Sequence, residues 1–341
     1  MRRFFTVQKV FFESLGGSII FGMFSLVLIL GLGAHGWCAS EASNYVLKKR
    51  DAIFNIWVGD QGTWAVGKRG LILRSGDGGK TWQQVPSGLG TSLNKIMFRE
   101  DTGWIVGNDG LILQSKDKGA HWTKVASGER YDRLALIDIE FMTDQVGIVA
   151  TEEGEILSSQ NGGASWERYP LDWFEVMPAD LTDRGIYAMN FYDIYVLDQD
   201  KAWIVGDWGT VMFTGDRGQH WEILRCGFYP HLFSAVFLDE QRGVAVGQNG
   251  TAVVTEDGGR SWTDMPGIKT SYSLFKIATK DTYGLIVGEQ GKLWVSANGG
   301  TWKEVPAQAA AWYCDAVLLD GEASCGYIAV GSRIDAGVIN P

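Results

Sequence analysis

Short apolar runs alternate with glycine-rich turns along almost the whole chain after about residue 43. In one stretch the runs are Leu93–Phe98, Trp104–Val106, Leu111–Gln114 and Trp122–Val125. Runs of three to six residues that are rich in Ile, Val, Leu and Trp are typical of β-strands and too short for helices. The pattern therefore predicts an all-β fold built from units of four short antiparallel strands.

One motif, Ser/Thr-x-Asp/Asn-x-Gly-x-x-Trp, occurs six times, and we call each copy an Asp-box. The boxes are Ser75–Trp82, Ser115–Trp122, Ser159–Trp166, Thr214–Trp221, Thr255–Trp262 and the shorter Ser296–Trp302. Their carboxylate or carboxamide residues and their tryptophans are Asp77 and Trp82, Asp117 and Trp122, Asn161 and Trp166, Asp216 and Trp221, Asp257 and Trp262, and Asn298 and Trp302.

The residue types of an Asp-box favour a structural role. An Asp or Asn side chain accepts hydrogen bonds from nearby backbone N–H groups and holds a tight turn, and glycine supplies the backbone freedom that the turn needs. Burial of a tryptophan ring removes roughly 150–250 Å² from water. We therefore interpret the boxes as repeated turns that each fix one strand unit.

The spacing of the boxes predicts a propeller. The box tryptophans are separated by steps of 40, 44, 55, 41 and 40 residues, and periods of this length indicate propellers or solenoids. A second landmark, the small residue of a Val-Gly pattern, occurs seven times, at Gly67, Gly107, Ala150, Gly206, Gly247, Gly288 and Gly331. Radial stacking of four-stranded sheets leaves only short edges exposed, so we predict a seven-bladed β-propeller, with an open or six-bladed ring as the alternative.

The seventh unit has no box. Cys314–Leu319, Tyr327–Val330 and Ala336–Ile339 supply three strands, and Tyr45–Leu47 is predicted to add the outer strand and so to join the two ends of the domain.

The 55-residue step contains an insertion at about residues 171–193. Loops that lead from blade to blade open on the face opposite the boxes, so the insertion is expected to enlarge that face. Aromatic residues, Met and Arg are enriched at interface hot spots. The predicted partner contacts are Trp173, Phe174, Met177, Arg184 and Tyr187. The alternative is that the insertion folds down and these side chains form a small core of their own.

Residues 1–42 resemble a targeting segment, and residues 43–341 form the predicted propeller. Arg2, Arg3 and Lys9 precede the apolar run Ile19–Leu32, and small residues follow it. The segment is either a cleaved signal peptide or an uncleaved membrane anchor, since about 20 mostly apolar residues approach the span of a bilayer. Either reading predicts export to the periplasm or cell envelope, where cysteines meet oxidising conditions. A disulfide between Cys314 and Cys325 is therefore expected, with Cys226 left over.

Composition and motifs exclude several chemistries. The formal charge is −10 and there is no extended basic run, which argues against nucleic-acid binding. The four histidines have no metal-ligand spacing, and His121 and His220 lie inside boxes. No phosphate-binding glycine loop or nucleophile elbow is present. We therefore predict no catalytic residue, no metal and no cofactor. The propeller is expected to be a monomer.

The repeat from Val66-Gly67 through Gly70 and Ile72 to the box ending at Trp82, found again from Val246-Gly247 to Trp262, resembles the photosystem II stability and assembly factor family. The resemblance covers nearly the whole chain after the targeting segment. It implies a lumenal or periplasmic seven-bladed propeller without catalysis, which holds a membrane protein during assembly.

The chain also departs from this family. Photosynthetic members carry an arginine-rich patch, whereas this sequence has only scattered Arg130, Arg133 and Arg184, and it lacks a lipoprotein cysteine context. We interpret it as a bacterial relative outside photosynthesis, and an accessory role beside an efflux-type transporter is one concrete form of this hypothesis. The alternative is a glycan-binding or glycan-hydrolysing propeller, because similar boxes occur in sialidases. Asp180 and Asp183 would be its candidate carboxylates.

Overall fold

The protein is an all-β propeller of seven blades, described here from a computed structural model. The described residues are 44–125, 133–173, 177–225, 230–306, 311–321 and 324–340. Phe174, Arg130, Cys226 and the predicted targeting segment lie outside these ranges. The prediction of an all-β seven-bladed propeller is confirmed.

Each blade is an antiparallel meander whose strands follow one another from the channel outward. Blade 1 contains β1 (Ile53–Gly59), β2 (Gly62–Gly67), β3 (Leu71–Ser75) and β4 (Gln83–Gln84); blade 2 contains β5 (Leu93–Arg99), β6 (Thr102–Gly107), β7 (Ile112–Ser115) and β8 (Thr123–Val125); blade 3 contains β9 (Leu136–Phe141), β10 (Gly147–Thr151), β11 (Ile156–Ser159) and β12 (Glu167–Arg168). Blade 4 contains β13 (Phe191–Val196), β14 (Ala202–Gly206), β15 (Val211–Thr214) and β16 (Glu222–Arg225); blade 5 contains β17 (Leu232–Phe237), β18 (Gly243–Gly247), β19 (Ala252–Thr255) and β20 (Thr263–Asp264). Blade 6 contains β21 (Leu274–Lys280), β22 (Tyr283–Gly288), β23 (Leu293–Ser296) and β24 (Lys303–Glu304), and blade 7 contains β25 (Tyr313–Leu319), β26 (Cys325–Gly331) and β27 (Ile334–Ile339).

The inner strands close a ring. Each of β1, β5, β9, β13, β17, β21 and β25 contacts the inner strand of the next blade, and β25 contacts β1. Because every blade is a meander, two kinds of turn define two faces. The boxes and the turns between first and second strands lie on the box face. The turns between second and third strands and the blade-to-blade connections lie on the opposite face, which we call the loop face.

The Asp-boxes form the predicted hydrogen-bonded turns. In the first box, the Ser75 hydroxyl donates to Asp77 (2.7 Å) and accepts from the Gly79 N–H (2.8 Å). The backbone N–H and hydroxyl of Thr81 both donate to the Asp77 carboxylate, at 2.9 and 2.6 Å. The box tryptophans Trp82, Trp166 and Trp221 are buried, while Trp122, Trp262 and Trp302 are half-buried. The structural role assigned to the boxes is confirmed.

The boxes also seal the seams between blades. Gly119, in the second box, has φ +80°, and a Cβ at this position would lie 2.6 Å from the ring of Trp64 in blade 1. In the same way the fifth box meets blade 4, where Trp203 Nε1 donates to the Gly258 carbonyl at 2.9 Å. Glycine in the box therefore allows both a left-handed turn and close packing on the preceding blade.

Blade 7 differs from the prediction because its sheet has three strands among the described residues. Tyr45–Leu47 forms no ladder with β27. Instead, the Tyr45 N–H donates to the Trp82 carbonyl of blade 1 at 2.6 Å, and Asn44 accepts from the Trp82 N–H at 3.1 Å. Tyr45 and Leu47 still pack against the apolar cluster that blades 1 and 7 share. The predicted segment therefore covers the correct seam, but it does so through side chains and two hydrogen bonds to blade 1.

Tyr327 compensates for the missing box of blade 7. In blades 3 and 6 the corresponding second-strand residues are Gly147 and Gly284, and the box tryptophan ring covers each glycine. In blade 7 this residue is the buried Tyr327, whose ring covers Gly337 on the neighbouring strand β27. A ring within the sheet thus fills the space that a box tryptophan fills elsewhere.

The predicted disulfide between Cys314 and Cys325 is wrong, and both cysteines are free. The two residues belong to paired strands but to opposite ends of them: Cys314 adjoins the Tyr313–Gly331 pair, whereas Cys325 pairs with Ile339. The Cys314 thiol instead contacts the Ile53 carbonyl of blade 1 at 2.9 Å, and burial raises its pKa. The prediction assumes that the turn near Leu319–Gly321 is centred between the two cysteines, which would place them opposite each other on the paired strands.

The first testable prediction concerns the acid stability of a box. Hydrogen bonds from the Ser261 hydroxyl and backbone N–H lower the pKa of Asp257 from 3.8 to about 2. A lowered native pKa stabilises the fold above the unfolded value and is lost as pH falls towards the native value. Asn keeps the acceptor, as Asn161 does in the third box. We expect the melting-temperature deficit of Asp257→Asn at pH 6 to shrink between about pH 4 and about pH 2.

The control is Asp264→Asn, a change at an exposed residue of the adjacent β20. Thermal unfolding followed by circular dichroism from pH 2 to pH 6 measures both variants. A deficit of Asp257→Asn that stays constant over this range would show that the carboxylate adds nothing as a charge.

Candidate binding face and central channel

All seven inner strands share a β-bulge near the loop face. In blade 1, for example, Ile53 pairs with Gly67 and Asn55 with Val66, so Phe54 is left without a partner in the ladder. The same shift occurs in every other blade. A bulge re-aims the unpaired residue and strengthens the local twist. The repeated bulge therefore produces two stacked rings of side chains around the channel.

The first ring, which we call the rim, consists of the unpaired bulge residues. They line a cavity of about 340 Å³ at the mouth of the channel: Phe54, Asn94, Ile137, Tyr192, Phe233, Phe275 and Cys314. Three rim rings on consecutive blades are in contact, since the centroids of Tyr192 and Phe233 lie 5.1 Å apart and those of Phe233 and Phe275 lie 5.6 Å apart. The mouth thus presents a largely aromatic and apolar wall.

The second ring, which we call the polar ring, consists of the residues that follow the bulges. Its members are Asn55, Lys95, Asp138, Asp193, Ser234, Lys276 and Asp315. Most of these side chains accept a hydrogen bond from a backbone N–H of the next blade. Asn55 accepts from Ile96 at 2.9 Å, and Asp138 accepts from Ile194 at 2.8 Å. The polar ring therefore links neighbouring blades across seams that have no strand ladder.

Asp315 closes the circle. Its Oδ2 accepts from the Asn55 amide at 2.7 Å and from the Ile56 N–H at 2.8 Å, so it joins blade 7 to blade 1. Burial raises the pKa of Asp315 even though Lys276 and Lys95 oppose the shift. The two ends of the domain are thus joined at the inner strands by a buried carboxylate.

Two lysines of the polar ring are engaged by carboxylates. Lys95 Nζ lies 2.8 Å from Asp138 and 3.0 Å from Glu140, which is one layer further from the loop face. Lys276 Nζ lies 2.8 Å from Asp193. Burial alone would lower the pKa of Lys95, but the carboxylates of Asp138 and Glu140 outweigh it and raise that pKa. For Glu140, burial is the larger effect and raises the pKa.

The insertion splits into a buried and an exposed part. Trp173 and Met177 are each only 7% exposed and belong to one apolar cluster of blades 3 and 4. Trp173 Nε1 also donates to the Gly154 carbonyl at 3.2 Å, in the second-to-third-strand turn of blade 3. The hypothesis that these two side chains contact a partner is therefore wrong, because they pack inward as the alternative states.

The other three predicted partner contacts are Arg184, Tyr187 and Phe174. Arg184 and Tyr187 are exposed on the loop face, after the short helix α1 (Ala179–Thr182). Phe174 lies outside the described residues. Tyr192 and Asp193, which the predicted insertion included, belong to the inner strand β13 and line the channel instead.

Sequence reasoning missed the polar ring, although a signal for it was present. In each unit, the third residue of the inner strand is polar and is followed by Ile or Ala, as in Asp138-Ile139, Asp193-Ile194 and Asp315-Ala316. A charged residue at one fixed place of an otherwise apolar strand is unusual, since buried charges require partners. Aligning the seven units on this position would have revealed the ring.

A family model for photosynthesis system II assembly factor YCF48 matches residues 44–132 and 130–227, which together exceed half of the chain. The chain belongs to the YCF48 family. Among solved structures, YCF48 bound to a D1 peptide is similar at 17% identity and a TM-score of 0.66, covering 89% of this chain and 96% of that one. YCF48 from Cyanidioschyzon merolae gives 16% identity and a TM-score of 0.69, with 88% and 98% coverage.

Enzymes also share the fold. Virginiamycin B lyase from Staphylococcus aureus is similar at 12% identity and a TM-score of 0.67, covering 88% of this chain and 98% of the lyase. At such identities the likeness shows the propeller fold alone. No curated protein gives a sequence match.

The described residues include no group of three or more His, Cys, Asp or Glu side chains placed to hold a metal ion. No helix among them is long and apolar enough to cross a membrane.

The second testable prediction concerns the hydrogen bonds by which Asp315 joins blade 7 to blade 1. Asp315→Ala leaves the Asn55 amide and the Ile56 N–H without their buried acceptor, and removing one partner of such a network costs about 3–5 kcal/mol. We expect a clearly lowered denaturant midpoint. Asp320→Ala is the control, because the Asp320 side chain is 90% exposed just beyond the same strand. Equal midpoints for the two variants would contradict the assigned role of Asp315.

The third prediction tests the corrected role of the insertion. Trp173→Ala removes a buried ring, and such changes destabilise by about 3–5 kcal/mol. Tyr187→Ala, at a residue 52% exposed in the same insertion, is expected to change stability by less than about 0.5 kcal/mol. Chemical denaturation of both variants provides the measurement. A Trp173→Ala protein as stable as the wild type would restore the contact hypothesis.

Proposed function

We propose that the chain is a non-catalytic, exported assembly factor whose loop face holds a segment of a membrane-protein client. Membership of the YCF48 family supports the assembly role. The YCF48 structure with a D1 peptide supports a polypeptide client, since that relative binds a peptide. Export rests on residues 1–42, which stay a predicted signal peptide or anchor.

The position of the exposed aromatic side chains supports the loop face as the surface that binds the client. Among the described residues, the exposed tyrosines and tryptophans are Tyr187, Tyr272 and Trp312, at 52%, 41% and 36%. All three lie in blade-to-blade connections and therefore on the loop face, around the aromatic rim. Tyr and Trp supply large contact areas and are enriched in binding hot spots. A client bound here would cover them together.

The arginines of the chain bear on the identity of the client. Arg133 and Arg184 are the described members of the scattered arginines, and they do not make an arginine-rich patch in the sequence. This favours a client other than a photosystem, for example an efflux-type transporter complex of the cell envelope. No observation specifically favours the glycan-hydrolysing alternative, and Asp183, one of its candidate carboxylates, is exposed after α1.

The fourth prediction tests the face. The triple variant Tyr187→Ala, Tyr272→Ala and Trp312→Ala should capture far less client in a cross-linking pull-down of the full chain from envelope membranes. Each lost hot-spot residue weakens binding by about 1 kcal/mol or more. The melting temperature of the variant, measured in parallel, shows whether it is folded.

The matched control changes apolar residues that are equally exposed elsewhere. Leu238 lies on the box face and Val338 on the outer strand β27, at 55% and 59% exposure. The double variant Leu238→Ala and Val338→Ala should capture the client normally. Loss of capture in this control with full capture by the triple variant would move the client to another surface.

A further inference from the structure

The channel mouth carries more carboxylate than ammonium. The described side chains lining the mouth and the layer below it include the carboxylates of Asp138, Glu140, Asp193 and Asp315, but only the ammonium groups of Lys95 and Lys276. Both ammonium groups are already paired, with Asp138 and Glu140 and with Asp193. Counted over these described side chains, the mouth has a surplus of two formal negative charges and no unpaired cation to neutralise it.

The two lysines do not fully offset the burial of these carboxylates. Burial raises the pKa of both Asp315 and Glu140, despite opposing contributions from the two lysines. Raised carboxylate pKa values mean that the available positive charge does not fully compensate for lost hydration. An additional cation in the cavity would stabilise the ionised forms.

The rim above these carboxylates is suited to the same kind of ligand. Tyr192, Phe233 and Phe275 form a contacting arc over three blades, and Phe54 contributes a further ring from blade 1. Aromatic faces attract guanidinium and ammonium groups, and apolar walls cover the methylene stems of Arg and Lys. An apolar rim above a negatively charged floor matches a long apolar stem that ends in a cation.

We propose that the channel mouth binds one cationic side chain of the client, an arginine or a lysine, with its stem among the rim rings and its charged head above the polar ring. The proposal rests on the function proposed above, because it names the chemistry of the client segment that the loop face holds. An acidic side chain is disfavoured, because it would add to the surplus and would have to compete for lysines that the ring already uses.

The probe is a short capped peptide of Gly and Ser with one central arginine, and its matched control has citrulline, a neutral side chain of nearly the same shape. Isothermal titration calorimetry with the full chain should show saturable binding of the arginine peptide and at least about tenfold weaker binding of the citrulline peptide, since a charged partner in a partly desolvated site contributes about 1.4 kcal/mol or more. A third peptide with glutamate should show no binding.

The variants test the two layers separately. Phe233→Leu keeps an apolar rim but removes an aromatic face, and it should weaken arginine binding between about twofold and about thirtyfold. Glu140→Gln removes one surplus charge and should also weaken it. Leu238→Ala, on the box face and away from the mouth, should leave the affinity unchanged.

Three results would overturn the inference: equal affinity for arginine and citrulline peptides, binding of the glutamate peptide instead, or arginine binding that neither Phe233→Leu nor Glu140→Gln alters in folded protein. Failure of the proposed function has a different signature. If the full chain captures client from membranes but ignores the arginine peptide, only the cation site is wrong. If the peptide binds but no client is captured, the site stands and the assembly role is wrong.

Discussion

The structure depends on backbone hydrogen bonds that cross the seams between blades near the channel. Each blade satisfies its own strand ladders, but a radial arrangement places the inner strands of neighbouring blades side by side without a shared ladder. The N–H groups of residues such as Ile56 and Ile194 would then be buried without acceptors, which is unfavourable. Asp315 and Asp138 supply those acceptors across the seams. The ring is therefore held where its blades are closest, by side chains and not by strand pairing.

The Asp-boxes complement these bonds at the other face. There the tryptophan rings of one blade meet the box of the next: a box glycine packs against the Trp64 ring in one seam, and Trp203 Nε1 donates a hydrogen bond to the Gly258 carbonyl in another. The blades are thus joined by polar side chains at the channel and by tryptophan rings at the box face. This division explains how blade 7 can lack both a box and a fourth strand. Asp315 secures its inner end, while Tyr327 and the segment around Tyr45 fill the space further out.

The sequence was informative where one local motif determines one local structure. An Asp-box contains its own donors and acceptors within eight residues, so its turn could be read directly, and the seven Val-Gly landmarks gave the number of blades. The failures involve contacts that residue type and local spacing do not define. The cysteines depend on the register of β25 against β26, which a turn position alone does not define. Trp173 was assigned to an interface because its type fits one, although its type fits a core equally well. The polar ring was overlooked because its members differ in residue type and share only a position.

The polar ring also explains why this fold can acquire binding chemistry without losing stability. A closing residue needs only an acceptor for the neighbouring N–H, and Asn55, Ser234 and Asp138 all provide one. Neutral and negatively charged side chains can therefore exchange at such a position while the bond across the seam is kept, whereas Lys95 and Lys276 accept no such bond and instead pair with Asp138 and Asp193. In this chain three positions are Asp and two are Lys, so closure leaves a net negative channel beneath the aromatic rim. The polar ring that joins the blades thus also determines the charge of the cavity. Substitutions at its positions would change which ligands the cavity prefers while the propeller fold is kept.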